Sequence, residues 1–312
     1  MTCVSRVCSE RANRGEGTDM RDSTTIRRVA MAFTLAVGLL AAALPAAANA
    51  NSKPMSYVAM GDSYTAGPGI TPVSPTAPPE CGQSLNNYPH LVAAALNLSL
   101  TDVSCSGAKT ENFTVSQFPG VPPQFDALSP STEIVTIGMG GNDNNLFETL
   151  VTKCTELDFG KPNEGAPCRE AEEGFVNETI AQTKGPQEEA LREVHKLAPK
   201  AKVYLVAYPE ITPINGYCPT AIPWTTEDLR WFHFQVQARG DANLALEAFK
   251  NGAIYTETFL QSFGHNACEE VGKRWIEPLF GSLTGVAVHP NALGQEHDAQ
   301  DVGLTMLLTG VR

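Results

Sequence analysis

The chain has 312 residues and a formal net charge of −12, from 22 Lys and Arg against 34 Asp and Glu. An acidic chain without a basic cluster is not expected to bind nucleic acid, whose phosphates need Lys and Arg. Even without its first 50 residues, the chain is long enough for one α/β domain with a full core.

The N-terminal part of the sequence has the features of a secretory signal peptide. Arg27 and Arg28 precede an apolar run over residues 29–43, and an Ala-Asn-Ala cleavage sequence ends at Ala50. A membrane-spanning helix is disfavoured because the run is short and Pro45 follows it. The sequence therefore predicts secretion, cleavage after about Ala50 and no integral membrane association.

The sequence divides into a leader and one folded domain. We expect residues 1–50 to hold an N-terminal extension and the signal peptide, and residues 51–312 to form a single domain. Residues 1–19 are polar and stand ahead of the basic start of the leader, so translation is expected to begin at Met20.

The cysteines suggest a protein of an oxidising compartment. Two of the eight, Cys3 and Cys8, lie upstream of the expected start. The other six are Cys81, Cys105, Cys154, Cys168, Cys218 and Cys268. An even set in an exported protein predicts three disulfides, although six cysteines allow 15 pairings. No metal site is expected, because the sequence lacks a C-x-x-C or Cys/His cluster.

Predicted strands and helices alternate along the domain. Strands are predicted at residues 58–60, 98–103, 133–137, 202–207 and 253–256. Helices are predicted at residues 88–96, 171–197, 229–250 and 292–308. This alternation predicts an α/β fold with a doubly wound parallel sheet.

A candidate nucleophile follows the first predicted strand. Residues 61–64 read Gly-Asp-Ser-Tyr, and a segment rich in Gly and Pro comes next. A strand that ends at a glycine places the next side chains at the carboxyl edge of the sheet, where open α/β folds bind ligands. Ser63 can act there as a nucleophile if the chain supplies a base and an oxyanion site.

Four separated segments together resemble the GDSL/SGNH hydrolase family over residues 55–308. They are Gly61-Asp62-Ser63, Ser104 to Ala108 with Gly107, Gly140-Gly141-Asn142-Asp143, and the segment that begins at His289. Each is weak alone, but their combination and order are specific. The resemblance implies a three-layer, flavodoxin-like sheet and a serine hydrolase without a metal or an organic cofactor.

The resemblance also implies a role for each matched residue. Ser63 would be the nucleophile and His289 the general base. The backbone N–H groups of Ser63 and Gly107 and the side-chain amide of Asn142 would form the oxyanion hole. These roles fit the residue types, because imidazole can accept a serine proton and glycine lets a main-chain N–H approach the substrate closely.

One position departs from the family pattern. The family usually places an Asp three residues before the His, and this chain has Val286 there. The sequence is therefore similar to secreted actinobacterial members that use a Ser–His dyad. By that resemblance we expect the main-chain carbonyl of Val286 to orient His289. The same branch implies the disulfides Cys81–Cys105, Cys154–Cys168 and Cys218–Cys268.

Other polar residues receive secondary roles. Of the remaining histidines, His265 is the one serious rival to His289 as base. Asp62 is expected to anchor the nucleophile's turn, and Asp143 to support the loop that presents Asn142. Candidates for an apolar acyl pocket are Leu146, Phe147, Phe113, Phe118 and the turn Thr212-Pro213-Ile214.

We therefore expect a secreted, monomeric ester hydrolase that works through an acyl-enzyme. The expected substrate is a small-molecule or lipid ester, with a fatty-acyl or phospholipid ester as first choice. Two alternatives remain: an esterase that removes acetyl groups from polysaccharide, and a non-catalytic secreted binding protein on the same scaffold.

Overall fold

A parallel sheet of five strands forms the centre of the protein in a computed structural model that describes residues 53–312. The predicted leader, its cleavage site and Met20 lie outside the described residues. The strands are β1 (Ser56–Met60), β2 (Ser99–Asp102), β3 (Ile134–Ile137), β4 (Lys202–Val206) and β5 (Ile254–Thr256). Their order is β2-β1-β3-β4-β5, and every neighbouring pair is parallel.

Helices cover both faces of the sheet. They are α1 (Ser63–Ala66), α2 (Tyr88–Leu96), α3 (Leu146–Asp158), α4 (Pro167–Leu197), α5 (Thr226–Trp231), α6 (Arg239–Lys250) and α7 (Ala292–Leu308). A π-helical segment, Phe232–Ala238, joins α5 to α6. Short 3-10 turns occur at Pro79–Cys81, Thr110–Phe113, Gln124–Ala127 and Asp143–Asn145.

The alternation of side chains along the strands creates two cores. Val58 and Met60 of β1 face the layer that contains α3, α4 and α6. Tyr57 and Ala59 point to the other face, where Val92 of α2 and residues of α7 pack. The result is the three-layer, doubly wound α/β fold that the sequence predicted. Residues Pro54–Arg312 form one compact unit.

The strand order fixes where a site can form. The chain leaves β1 for the edge strand β2 and then returns to pair β3 on the other side of β1. Such a reversal opens a crevice at the carboxyl ends of β1 and β3, the usual ligand position in doubly wound folds. The segments after both strands carry residues that the sequence singled out.

The helices differ from the sequence prediction in several places: α1 was not predicted, and α4 begins at Pro167 instead of residue 171. Helix α3 was not predicted, although Leu146, Leu150 and Cys154 recur at the four-residue spacing of a buried helix face. The predicted helix over residues 229–250 begins earlier, at α5, because the Thr225 side chain caps its first turn by accepting from the Asp228 N–H.

The three disulfides are those that the family resemblance implied. Cys81 pairs with Cys105, Cys154 with Cys168, and Cys218 with Cys268. The first bond lies beside Gly107, and the second joins α3 to the start of α4. No described helix is long and apolar enough to cross a bilayer.

Candidate active site

Ser63 and His289 meet at the carboxyl edge of the sheet. The Nε2 atom of His289 lies 2.8 Å from the Oγ atom of Ser63. Ser63 is the first residue of α1, directly after Asp62, whose carboxylate accepts from the Tyr64 N–H at 2.9 Å and caps this short helix. We call residues 61–66 the nucleophile turn, and all six are buried.

The carbonyl that orients His289 is not the expected one. The Nδ1 atom of His289 lies 2.8 Å from the carbonyl oxygen of Ala287. The Val286 carbonyl instead accepts the main-chain N–H of His289 at 3.2 Å. The Val286 assignment is therefore wrong, because that oxygen closes the turn of residues 286–289. The atom that lies on Nδ1 is still a main-chain carbonyl oxygen, that of Ala287.

Val288 has an unusual backbone conformation in this turn. Its φ is 62°, in the left-handed region that β-branched residues rarely enter. Residues held there typically cost about 1–3 kcal/mol and need surrounding contacts to hold them. The Val288 N–H donates to the Glu277 carbonyl at 2.9 Å, and its own carbonyl accepts from the Tyr64 hydroxyl at 2.5 Å. The nucleophile turn therefore contacts the base directly and also through Tyr64.

The surroundings of His289 favour its neutral form. Burial lowers the pKa of the imidazole, and the hydrogen bond to Ala287 offsets only part of that effect. Because Nδ1 faces a carbonyl oxygen, it carries the ring proton when the imidazole is neutral. The unprotonated Nε2 then faces Ser63, as a general base requires.

The two segments expected to form the oxyanion side lie next to each other. The Asn142 amide nitrogen donates to the Ala108 carbonyl at 3.0 Å, which joins the segment after β3 to the segment after β2. Gly107, beside Ala108, has a φ of 76°, which favours glycine. Cys105 donates to the Gly61 carbonyl at 3.0 Å and so connects this segment to the nucleophile turn.

Asp143 supports the loop as expected. Its two carboxylate oxygens accept from the N–H and the hydroxyl of Thr110 at 2.8 and 2.7 Å. This pair holds the segment after Asn142 against the segment after Gly107. The neighbouring Asn144 and Asn145 both have positive φ, so the loop turns sharply before α3.

Asp62 anchors the nucleophile turn through a residue that the sequence analysis missed. Its carboxylate accepts from the Tyr208 hydroxyl at 2.5 Å, and that hydroxyl accepts from the Gly141 N–H at 3.0 Å. Burial raises the pKa of Asp62 to about 6. Tyr208 follows β4 at the same edge of the sheet, and this position could have identified it as a site residue from the sequence.

Two buried amides were also missed. The Gln124 side chain makes both an acceptor and a donor bond to Gly61, at 2.8 and 2.9 Å. The Gln295 side chain of α7 accepts from the Tyr88 N–H at 2.6 Å and donates to the Tyr64 carbonyl at 2.8 Å. The two glutamines hold the nucleophile turn from two sides. Both lie far from the turn in the sequence, so the sequence analysis did not connect them with it.

His265 packs away from the base position. Its ring stacks on Trp275 with centroids 4.0 Å apart, and its Nδ1 lies 2.6 Å from the Lys273 carbonyl. The structure therefore gives this residue a packing role. In residues 53–312, no group of three or more His, Cys, Asp or Glu side chains is arranged to hold a metal.

The suggested acyl-pocket residues do not form one pocket. Leu146 and Phe147 line a small cavity beside Gly141 and Tyr208. Phe113 lines a separate groove next to α4, and Phe118 packs on the Cys81–Cys105 disulfide. In the turn at residues 212–214, the Thr212 hydroxyl donates to the Leu229 carbonyl. Only the first two residues remain candidates for acyl contact.

Comparison with known proteins agrees with this geometry. The sequence matches the GDSL-like lipase/acylhydrolase family over residues 59–297. Lipase 2 of Streptomyces coelicolor is 40% identical over 283 residues, which cover 88% of this chain and 95% of that protein.

Two solved structures share the fold. Phospholipase A1 of Streptomyces albidoflavus is 25% identical with a TM-score of 0.66, over 83% of this chain and 100% of that one. An extracellular lipase of Streptomyces rimosus is 23% identical with the same TM-score and coverage. The chain therefore belongs to the GDSL-like lipase/acylhydrolase family of ester hydrolases.

Proposed function

We propose that the protein is a secreted serine esterase that cleaves fatty-acyl esters, including those of phospholipids, through an acyl-enzyme. The observation that carries the proposal is the line of contacts from Ser63 Oγ to His289 Nε2 and from His289 Nδ1 to the Ala287 carbonyl. A serine with a neutral imidazole at 2.8 Å has the base that it needs to become nucleophilic.

We assign one group of the site to each step of the reaction. His289 takes the proton of Ser63 Oγ as that oxygen attacks the ester carbonyl. The backbone N–H groups of Ser63 and Gly107 donate hydrogen bonds to the oxyanion that develops. One N–H of the Asn142 amide donates to the Ala108 carbonyl, and the second N–H is the donor that we assign to the oxyanion. His289 then protonates the leaving alcohol, and water hydrolyses the acyl-enzyme with the same residue as base.

Aromatic rings beside the base support an apolar acyl group. The Tyr64 ring lies 5.0 Å from the His289 ring and 5.1 Å from the Tyr208 ring, and Phe147 lies 5.6 Å from Tyr208. Tyr64 and Tyr208 are buried, so the partly exposed Phe147 ring is the member of the cluster that could contact an acyl group. The names of the similar proteins, a lipase and a phospholipase A1, agree with this choice.

Secretion belongs to the same proposal. Three disulfides suit an oxidising compartment, and one of the similar structures is an extracellular lipase. N-terminal sequencing of the exported protein should begin near residue 51. A protein retained in the cytoplasm with its leader intact would contradict export.

The test of function is a hydrolysis profile over p-nitrophenyl esters from acetyl to palmitoyl, with a phosphatidylcholine and an acetylated xylan alongside. We expect kcat/KM to rise beyond the acetyl ester and phospholipid to be cleaved. A preference for acetyl esters and acetylated xylan would instead indicate a carbohydrate esterase. Failure of an organophosphonate to label Ser63 would indicate a non-catalytic protein.

A further inference from the structure

The segment that carries the base is a loop closed by main-chain pairing. Glu277 donates its N–H to the His289 carbonyl at 2.8 Å and accepts the Val288 N–H at 2.9 Å. Ile276 and Pro290 form an antiparallel bridge next to this pair. Residues 278–287, which we call the base loop, project from this closure and contain the Ala287 carbonyl that faces His289.

Apolar burial does little to hold the far part of this loop. Leu283 is 67% exposed and Val286 is 41% exposed. Segments with few buried apolar contacts open locally at low free energy cost. Polar contacts therefore hold this part of the loop, among them the hydrogen bond from the Val286 N–H to the Pro68 carbonyl at 3.3 Å.

One carboxylate accepts the hydrogen bonds of Leu283 and Thr284 in the exposed part of the loop. The Glu277 side chain is 1% exposed and lies inside the loop. One of its oxygens accepts from the Leu283 N–H at 3.0 Å and from the Arg274 guanidinium at 2.8 Å. The other accepts from the Thr284 hydroxyl at 2.8 Å.

The carboxylate is held in its ionised form. Burial raises the pKa of Glu277, but the Leu283 N–H, the Thr284 hydroxyl and the Arg274 guanidinium outweigh burial and leave the pKa below its usual value. Glu277 therefore holds the loop in two ways. Its main chain bonds to Val288 and His289, and its side chain bonds to Leu283 and Thr284.

We propose that Glu277 is a positioning residue for the base: its carboxylate fixes the base loop so that the Ala287 carbonyl stays on Nδ1 of His289. In a Ser-His-Asp triad an acid performs this orienting task by direct contact. Here the acid acts one step away, through the loop. The inference rests on the proposed role of His289 as base.

The test compares Glu277→Ala, Glu277→Gln and Thr284→Val with the wild type. Each kcat is expressed per active site titrated with an organophosphonate, so that unfolded protein does not count. We expect Glu277→Ala to lower kcat by about 10- to 100-fold with KM within about threefold, because misplacing a catalytic group by about 1 Å can cost that much.

Glu277→Gln should restore most of kcat, to within about fivefold of wild type, because the amide oxygen can face Leu283 while its nitrogen donates to Thr284. Thr284→Val removes one contact at an exposed position, so it folds even where Glu277→Ala does not. Thr284→Val should lower kcat by about threefold. When combined with Glu277→Gln it should lower kcat by less than that, because both substitutions change the same hydrogen bond between residues 277 and 284.

A matched control is Asp228→Asn. Asp228 is also a buried carboxylate, and it accepts the N–H groups of Cys168 and Arg169 at the start of α4. This variant should lose thermal stability while its kcat per titrated site stays within twofold of wild type.

Two results would overturn the role of Glu277. The first is a kcat per titrated site within twofold of wild type in Glu277→Ala or, where that variant does not fold, an unchanged kcat in Thr284→Val. The second is an effect on KM alone. A failure of the proposed function would look different, since His289→Ala would then keep its activity or the wild type would cleave no ester.

Discussion

Ser63 lies in a turn whose six residues are all buried, whereas His289 follows a loop in which Leu283 and Val286 are largely exposed. The nucleophile turn is held by side chains from three distant segments, those of Tyr208, Gln124 and Gln295. The exposed part of the base loop is held by the Glu277 carboxylate and by a main-chain bond from Val286 to Pro68. Within one catalytic pair, the core thus positions the nucleophile, and local polar contacts position the base.

This difference has an energetic consequence. Removing a buried partner of the nucleophile turn leaves polar groups unsatisfied in the core and so reduces global stability. Disturbing the exposed part of the base loop, for example at Thr284, costs less stability but moves the carbonyl that orients His289. Substitutions that remove a partner of the nucleophile turn should therefore lower stability more than activity. Substitutions in the exposed part of the base loop should lower activity more than stability.

The largest expected effect comes from Ser63→Ala. Hydrolysis should fall by at least about 10⁴-fold, since the Ser63 hydroxyl is the one that lies on Nε2 of His289 in the described residues. The melting temperature should stay close to that of wild type, because the turn is held by other side chains. Calorimetry with an ester assay checks both. Turnover near the wild-type rate would remove Ser63 from the mechanism, and with it the comparison.

Asn142→Ala should be next in size. A lost oxyanion donor typically lowers kcat by about 10²–10³-fold, and KM should change little because the bond strengthens mainly in the transition state. Steady-state kinetics on one p-nitrophenyl ester measure the two constants. A change in KM alone would show that the amide only binds substrate.

The pH dependence of kcat/KM reports on the base itself. Burial lowers the pKa of His289, so its neutral, active form should persist below the usual value of about 6.5. We expect activity to rise with pH to a midpoint under about 6.5 and then to level off. A midpoint well above that value would point to a carboxylate on Nδ1 and contradict the carbonyl arrangement.

The same shift makes a stability prediction with a definite sign. A folded-state pKa below the unfolded one means that the unfolded chain binds a proton first as the pH falls. His289 should therefore reduce stability as the pH falls below about 6.5 and through its folded pKa. His289→Gln should weaken this part of the pH dependence.

The nucleophile turn could be predicted from the sequence because its signals are local. A strand that ends in Gly-Asp-Ser fixes Ser63 at the sheet edge without knowledge of the rest of the fold. The residues that hold the turn could not be found in this way. Tyr208 contacts Asp62 across 146 positions, and Gln295 contacts Tyr64 across 231. A lone buried Gln or Tyr carries no periodic signal.

In the base loop, the sequence indicated the functional residue but not the contacts that position it. The family resemblance pointed to His289, which the structure places beside Ser63, but the carbonyl on its Nδ1 was expected one residue too early. Val288, between Ala287 and His289, has a positive φ that a β-branched residue would not be expected to adopt, so the local sequence did not predict this turn. The role of Glu277 was missed for a related reason, since it lies 12 residues before His289 with no motif around it.

Gln295→Ala tests the stability side of the comparison. The substitution leaves the Tyr88 N–H and the Tyr64 carbonyl without partners in the core, at about 1–3 kcal/mol each. We expect the free energy of unfolding to fall by about 2–6 kcal/mol, while kcat per titrated site changes by less than about fivefold. Denaturant titration and kinetics measure the two effects. A large loss of kcat with normal stability would reverse the comparison.

The smallest expected effect is that of Val286→Ala. Its carbonyl survives the change and continues to accept from the His289 N–H, and its side chain is exposed. Surface substitutions of this kind usually change stability by no more than about 0.5 kcal/mol. We expect kcat to stay within twofold of wild type.

Val288→Ala gives the matched contrast to that change. Val288 is 9% exposed and packs in the core, so the same loss of two methyl groups should cost about 1–2 kcal/mol of stability. Kinetics and thermal denaturation of the two variants side by side measure the difference. A tenfold loss of activity in Val286→Ala, with stability unchanged, would mean that its exposed side chain contacts the substrate. The base loop would then take part in binding the acyl group as well as in orienting His289.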